Sequence, residues 1–220
     1  MVRQSSREQH HPAERLASRY IFLDTQVYRA LGHNPANRAF ALLKEQVNSH
    51  RVTDITLLEV RRQIRERVLA RQRELMLIER DLNRWRKSAP KAAPEGAIEF
   101  DADALSNELF KQFEWFLRHE CKAVVHQALA VAPAAVFETY FDRKPPFDGQ
   151  DSKEFPDAFV VEALRKWCRE QGNRMNIVTE DKSMTRAVLE DARLIALKDI
   201  YEVLARAAAR RSSTSPPRWR

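Results

Sequence analysis

Hydrophobic positions along the chain alternate between two habits. Short unbroken runs mark strands buried on both faces, and longer stretches with apolar residues three and four apart mark amphipathic helices. The first run, Tyr20-Ile21-Phe22-Leu23, stops on Asp24-Thr25 and predicts a strand over 20–24. Val27 and Leu31 continue it as a helix, broken at Gly32-His33-Asn34-Pro35, and Phe40, Leu42, Leu43 and Val47 give helical spacing over 37–49. A second strand is expected over 51–55. From Thr56 a helix runs to Lys87, with Val60, Ile64, Val68, Leu75, Ile78, Leu82 and Trp85 as one apolar stripe. Two prolines and a glycine between Ser88 and Gly96 end it. Asp101 or Asp103 caps the next helix, whose buried side is Leu105, Leu109, Phe113 and Phe116.

The pattern then predicts a third strand over 128–132, a short helix over 133–140 and a rigid loop over 142–149. A helix opened by Asp157, a fourth strand over 174–179, a helix over 182–191, a fifth strand over 193–197 and a closing helix over 200–209 follow. Strand, helix, strand in alternation builds a mainly parallel sheet of about five strands in a three-layer α/β/α domain. The domain is expected to span 19–205, with a helical insertion at about 61–127. A flexible N-terminal arm (1–18) and a basic tail (206–220), which holds five arginines and no acid, flank it.

Composition narrows the chemistry. The 220 residues suit one domain with a sizeable core. Only four glycines, and neither Gly-x-Gly-x-x-Gly nor Gly-x-x-x-x-Gly-Lys, argue against a dinucleotide fold or a nucleoside-triphosphate loop. A formal charge of +7 on a chain that is 31% charged raises nucleic acid as a partner, since neutralising phosphates releases counterions. Cys121 and Cys168 lack a disulfide framework or metal-ligand spacing and read as reduced thiols of a cytoplasmic protein. No apolar run reaches the roughly 18 residues that cross a bilayer, so no membrane partner is expected. The polar arm, with His10-His11, is expected to be neither a signal peptide nor an anchor.

Four acids recur at corresponding places. Asp24 follows the first strand, Glu59 the second, Asp157 opens a helix, and Asp181 follows Thr179-Glu180 after the fourth strand. The carboxyl edge of an open α/β sheet is where ligands collect. The alternative is that each acid separately caps a helix. A shared site would crowd carboxylates together, and a hard cation such as Mg²⁺ or Mn²⁺ removes that repulsion.

Ile21-Phe22-Leu23-Asp24-Thr25, Thr56-Leu57-Leu58-Glu59, Phe155-Pro156-Asp157-Ala158-Phe159 and Ile177-Val178-Thr179-Glu180-Asp181, in that order, resemble a PIN domain. Glu154-Phe155-Pro156-Asp157 resembles the Glu-Phe-Pro-Asp signature of a PIN-like branch. The likeness spans about 20–205. Gln26 departs from it, standing where PIN domains commonly carry Asn or Ser. What the resemblance implies is a Mg²⁺- or Mn²⁺-dependent endoribonuclease that hydrolyses RNA phosphodiester bonds by in-line attack of activated water. Asp24, Glu59, Asp157 and Asp181 carry over as its catalytic and metal-binding acids, supported by Thr179, Glu180, Lys153, Lys182 and Glu154. Nucleases of this kind often serve as toxins or defence effectors.

Between Arg61 and Lys87 there are ten basic residues against four acidic ones. Arg61, Arg62 and Arg65 are the candidate RNA contacts, against the alternative of a solvated face with pairs such as Glu66 with Arg62. Phe110, Phe113, Trp115 and Phe116 suit base stacking, but at helical spacing they fit the core better. His119 and His126 are assigned no role. RNA is the expected partner, with homo-oligomerisation and a protein partner left open. Two other functions compete: a catalytically silent PIN-like RNA-binding module, and a phosphatase of the haloacid dehalogenase type. The phosphatase requires Asp where Gln26 stands.

Overall fold

The computed structural model describes residues 18–46, 49–89, 100–149 and 154–203. At its centre five parallel strands lie in the order β3-β2-β1-β4-β5. These are β1 (Tyr20–Leu23), β2 (His50–Thr53), β3 (Val124–His126), β4 (Met175–Val178) and β5 (Leu194–Leu197). β1 is central, paired with β2 through Ile21↔His50 and with β4 from Tyr20↔Met175 to Leu23↔Val178. Successive side chains point to opposite faces of a sheet, so β1 feeds two cores. Ile21 and Leu23 join one cluster, Tyr20 and Phe22 the other.

The first core lies beneath α1 (Thr25–Ala30), α2 (Arg38–Lys44), α3 (Asp54–Ser88) and α4 (Ala102–Trp115), around Tyr28, Phe40, Phe113 and Phe116. The second lies beneath α5 (Pro133–Phe141), α6 (Phe155–Gln171) and α7 (Lys182–Leu189), around Val136, Leu164, Met184 and Val188. Helices on both faces of a parallel sheet make the expected three-layer α/β/α architecture. A last helix opens at Ile200, and its expected course beyond Val203 lies outside the described residues. So do His10, His11, Val47, Lys153, the basic tail and most of the loop after Ser88.

Several boundaries differ from the sequence reading. β2 ends at Thr53 because that residue caps α3: its Oγ1 accepts the Thr56 N–H at 3.1 Å, which makes Asp54 and Ile55 helical. The third strand is not 128–132 but Val124–His126, where β-branched Val124 and Val125 pair with Arg51 and Val52. Ala128–Ala130 forms a 3₁₀ turn instead. Asp54 holds that turn, its Oδ1 accepting the Ala128 N–H at 2.8 Å.

The apolar stripe of α3 is only partly a core stripe. Val60, Ile64 and Val68 are buried, whereas Ile78 and Trp85 are 55% and 57% exposed. The reason is length: α3 has 35 residues and α4, which packs along it, has 14. Leu105 and Leu109, expected inside, are half-exposed and border an open apolar pocket of about 480 Å³ with Val68, Phe100 and Phe113. Phe113 and Phe116 are core residues, edge-on to Phe40 at 5.6 and 5.5 Å. Trp115 is exposed and stacks on His119. Among the described residues no helix is long and apolar enough to cross a membrane, and both cysteines are free and buried.

Candidate metal centre

The crevice between β1 and β4 is where the strand order reverses, since β2 flanks β1 on one side and β5 flanks β4 on the other. Ligands of open α/β sheets bind outside the carboxyl ends at such a point. Asp24 stands one residue beyond β1, at the cap position of α1, with extended backbone but no capping hydrogen bond from its side chain. Its buried carboxylate instead accepts hydrogen bonds from Thr179 Oγ1 at 2.6 Å and Thr25 Oγ1 at 3.2 Å. Burial nevertheless raises its pKa. Asp181 does cap: Oδ1 accepts the Met184 N–H at 2.7 Å, and its own N–H donates to Thr179 Oγ1 at 3.0 Å.

Two helices bring the other acids to this edge. Glu59 lies in the second turn of α3, and its pKa is raised by burial despite the opposing Arg62 charge. Asp157 lies in the first turn of α6. Burial, then the charge on Asp24, a hydrogen bond with Glu154 and the charges of Glu59 and Glu154 push it up to about 8. Glu154 sits just ahead of α6, three residues before Asp157, a spacing that makes the two neighbours. Carboxylate oxygens of Glu154, Asp157 and Asp181 lie within 4.8 Å of one another.

Asp24, Glu59, Asp157, Glu180 and Asp181 all border one open cleft of about 690 Å³. Glu154 belongs to the tight trio rather than to the cleft wall, and Asp24 and Glu59 to the wall rather than to the trio. Among the support residues, Thr179 is buried and bridges Asp24 to Asp181. Lys182 is exposed at the start of α7 and outside the cleft wall. Of the three arginines, Arg62 borders the cleft. Arg61 donates to Asn107 at 2.9 Å and Arg65 pairs with Asp103 at 2.8 Å, so both tie α3 to α4.

Sequence reasoning did not single out Thr25, Arg29 or Gln63, which also line the cleft. The available signal was helical: Arg29 is four residues beyond Thr25, and Gln63 four beyond Glu59, so each shares a face with a site residue. The donor set consists of carboxylate and hydroxyl oxygens, with three acids crowded and the pKa of Asp157 pushed up to about 8 by burial and its acidic neighbours. Such a set fits a hard divalent cation, which takes oxygen ligands and cancels the repulsion.

The family model for the PIN domain matches residues 21–184, a span that contains all six of these acids. The chain belongs to the PIN domain family. No curated protein and no solved structure matches it. PIN domains are generally nucleases that use divalent metals, and this one carries an acidic cluster at the carboxyl edge of its sheet. In this PIN domain the acids come from just beyond β1 and β4, the second turn of α3 and the start of α6.

Proposed function

We propose that this PIN domain is a Mg²⁺- or Mn²⁺-dependent endoribonuclease that hydrolyses RNA phosphodiester bonds. The observation that carries the reading is the crowding of Glu154, Asp157 and Asp181 within 4.8 Å, with Asp157 pushed up to about 8. A fold bears that repulsion at a cost unless a cation relieves it. Glu154, Asp157 and Asp181 would hold the ion, with Asp24 and Glu59 as further oxygen donors beside them. A bound Mg²⁺ or Mn²⁺ supplies Lewis-acid polarisation of a phosphoryl oxygen and a water acidic enough to attack at neutral pH.

The chain's own residues prepare that site. Thr179 fixes the Asp24 carboxylate, and the Met184 amide fixes Asp181. Burial and the neighbouring acids make Asp157 hold its proton more tightly than an ordinary carboxyl, and positive charge in the cleft would favour its release. Arg29 and Arg62 border the same cleft as the acids and suit phosphates flanking the scissile bond. The excess of +7 over the whole chain draws a polyanion toward a cleft that is locally negative. Burial pushes the Cys121 and Cys168 thiols up to about 12 and 11, so neither is an activated nucleophile.

Incubation with total RNA in Mn²⁺, Mg²⁺ or chelator, followed by mapping of fragment ends, tests the reading. Wild-type protein gives discrete fragments with metal and none with chelator. Asp157→Asn keeps the circular dichroism of the wild type and loses on the order of a hundredfold or more in cleavage. Equal cleavage by Asp157→Asn would remove the site. RNA binding without cleavage in every metal would leave the silent binding module instead.

A further inference from the structure

α3 extends well past the helix that packs on it, and its two long faces differ sharply. At 3.6 residues per turn, Arg62, Arg73, Arg80, Arg84 and Lys87 fall within roughly 60° of one another. This stripe lies almost opposite Val60, Ile64 and Val68, which face the core. Its first member borders the acidic cleft. Its last lies about 37 Å farther along the axis at 1.5 Å per residue. Arg62, Arg80 and Arg84 are 68%, 68% and 71% exposed.

The acids near the stripe do little to cancel it. Glu66 is 3.8 Å from Arg62, and Asp81 stands 3.9 and 3.8 Å from Arg80 and Arg84. Pairs this exposed are screened and weak. Near the tip, Arg80, Arg84 and Lys87 border a shallow groove with Met76, Asn83 and a single acid, Glu79. α3 holds one aromatic residue, Trp85, and it projects from the apolar side rather than from the basic stripe.

We infer that α3 is a phosphate-contacting track and that the RNA lying along it is a double-helical stem. Calling that RNA the substrate rests on the nuclease reading above. Single strands are bound by basic grooves interleaved with aromatic platforms for stacking, and the stripe carries none. Duplex RNA is read through phosphates and shape, which a rigid row of exposed cations matches. The span of about 37 Å is of the order of the roughly 16 base pairs that double-stranded-RNA domains cover.

The test is fluorescence anisotropy in chelator with three synthetic RNAs: a hairpin with a stem of about 16 base pairs, the same loop on a stem of about six, and a single strand of matching length. Wild-type protein binds the long stem about tenfold or more tighter than the other two. Arg80→Glu/Arg84→Glu/Lys87→Glu erases that preference and lowers the salt slope on the long stem by about two to three. The corresponding triple Gln variant loses part of the preference with an unchanged thermal melt, which separates lost charge from lost fold. Equal affinity for the single strand would overturn the inference. So would unchanged long-stem binding by the Glu variant, the result expected if the tip instead serves an acidic protein. Stem-dependent binding without cleavage in Mn²⁺ would remove the nuclease reading and keep the track, and cleavage with stem-independent binding would do the reverse.

Discussion

Thr179 joins the two acids that follow β1 and β4. One hydroxyl donates to Asp24 and accepts from the Asp181 amide, so a single side chain sets the spacing across the crevice. At the opposite end of β2, His50 is fully buried, and its Nε2 shares a 2.7 Å hydrogen bond with the Tyr28 hydroxyl. Its Nδ1 has no hydrogen-bond partner among the described residues. Burial, with the Arg51 charge adding to it, pushes the imidazole down to about 3. His50 is therefore neutral in the fold, whereas the unfolded chain binds its proton below about pH 6.5. Its contribution to stability is complete above that pH and is lost as pH falls toward 3. Urea unfolding at pH 7, 6 and 5 should show the wild type losing up to about 1.4 kcal/mol per pH unit more than His50→Gln. Parallel slopes for the two proteins would contradict the assignment.

Among the elements, α4 is seated on α1 and α2 by a local aromatic cluster, while Arg61 and Arg65 tie it to α3. Phe113 is 2% exposed and meets Tyr28, Phe40 and Phe116 at ring distances of 6.0, 5.6 and 6.2 Å. Phe113→Ala should cost about 3–5 kcal/mol, read as a lower denaturant midpoint. Trp115→Ala, at a position 54% exposed, should stay within about 0.5 kcal/mol. Equal losses would place Trp115 in a contact that the fold lacks. The same helices show how far the amino-acid pattern reaches. Periodicity identifies α3, but only the end of α4 determines that burial stops after Val68 while Ile78 and Trp85 face outward. The strands β1 and β4 are legible because unbroken apolar runs have few alternatives. β3 is not legible at 128–132 because Ala128 is apolar yet carries no β-branch, and Asp54 closes that segment into a turn from 74 residues away. Asp24 and Asp181 look alike in sequence, each between a strand and a helix, yet only Asp181 caps. Which one turns inward depends on Thr179, a partner 155 residues distant from Asp24. In the sequence Glu154 reads as a support residue beside Asp157. Its three-residue spacing from Asp157 is what brings it into the tight trio.

On the scale of the whole molecule, charge is segregated. Acids gather at the carboxyl edge of the sheet, where β1, β4, α3 and α6 meet, while the exposed length of α3 carries cations away from that edge. A basic protein with an acidic crevice attracts a polyanion in bulk and requires a cation locally. The membership in the PIN domain family is consistent with that division. The central claim, that the crevice exists to hold a divalent ion, is tested most directly by thermal melting of metal-free protein during Mn²⁺ titration. Saturating ion should stabilise the wild type by about 2.7 kcal/mol at a hundredfold excess over Kd, a rise in Tm of roughly 5–10 °C for a chain of this size. Asp157→Asn should gain little from Mn²⁺, because it lacks one of the carboxylates that would hold the ion. A wild-type Tm that ignores Mn²⁺, or an Asp157→Asn variant that gains as much as the wild type, would contradict the account.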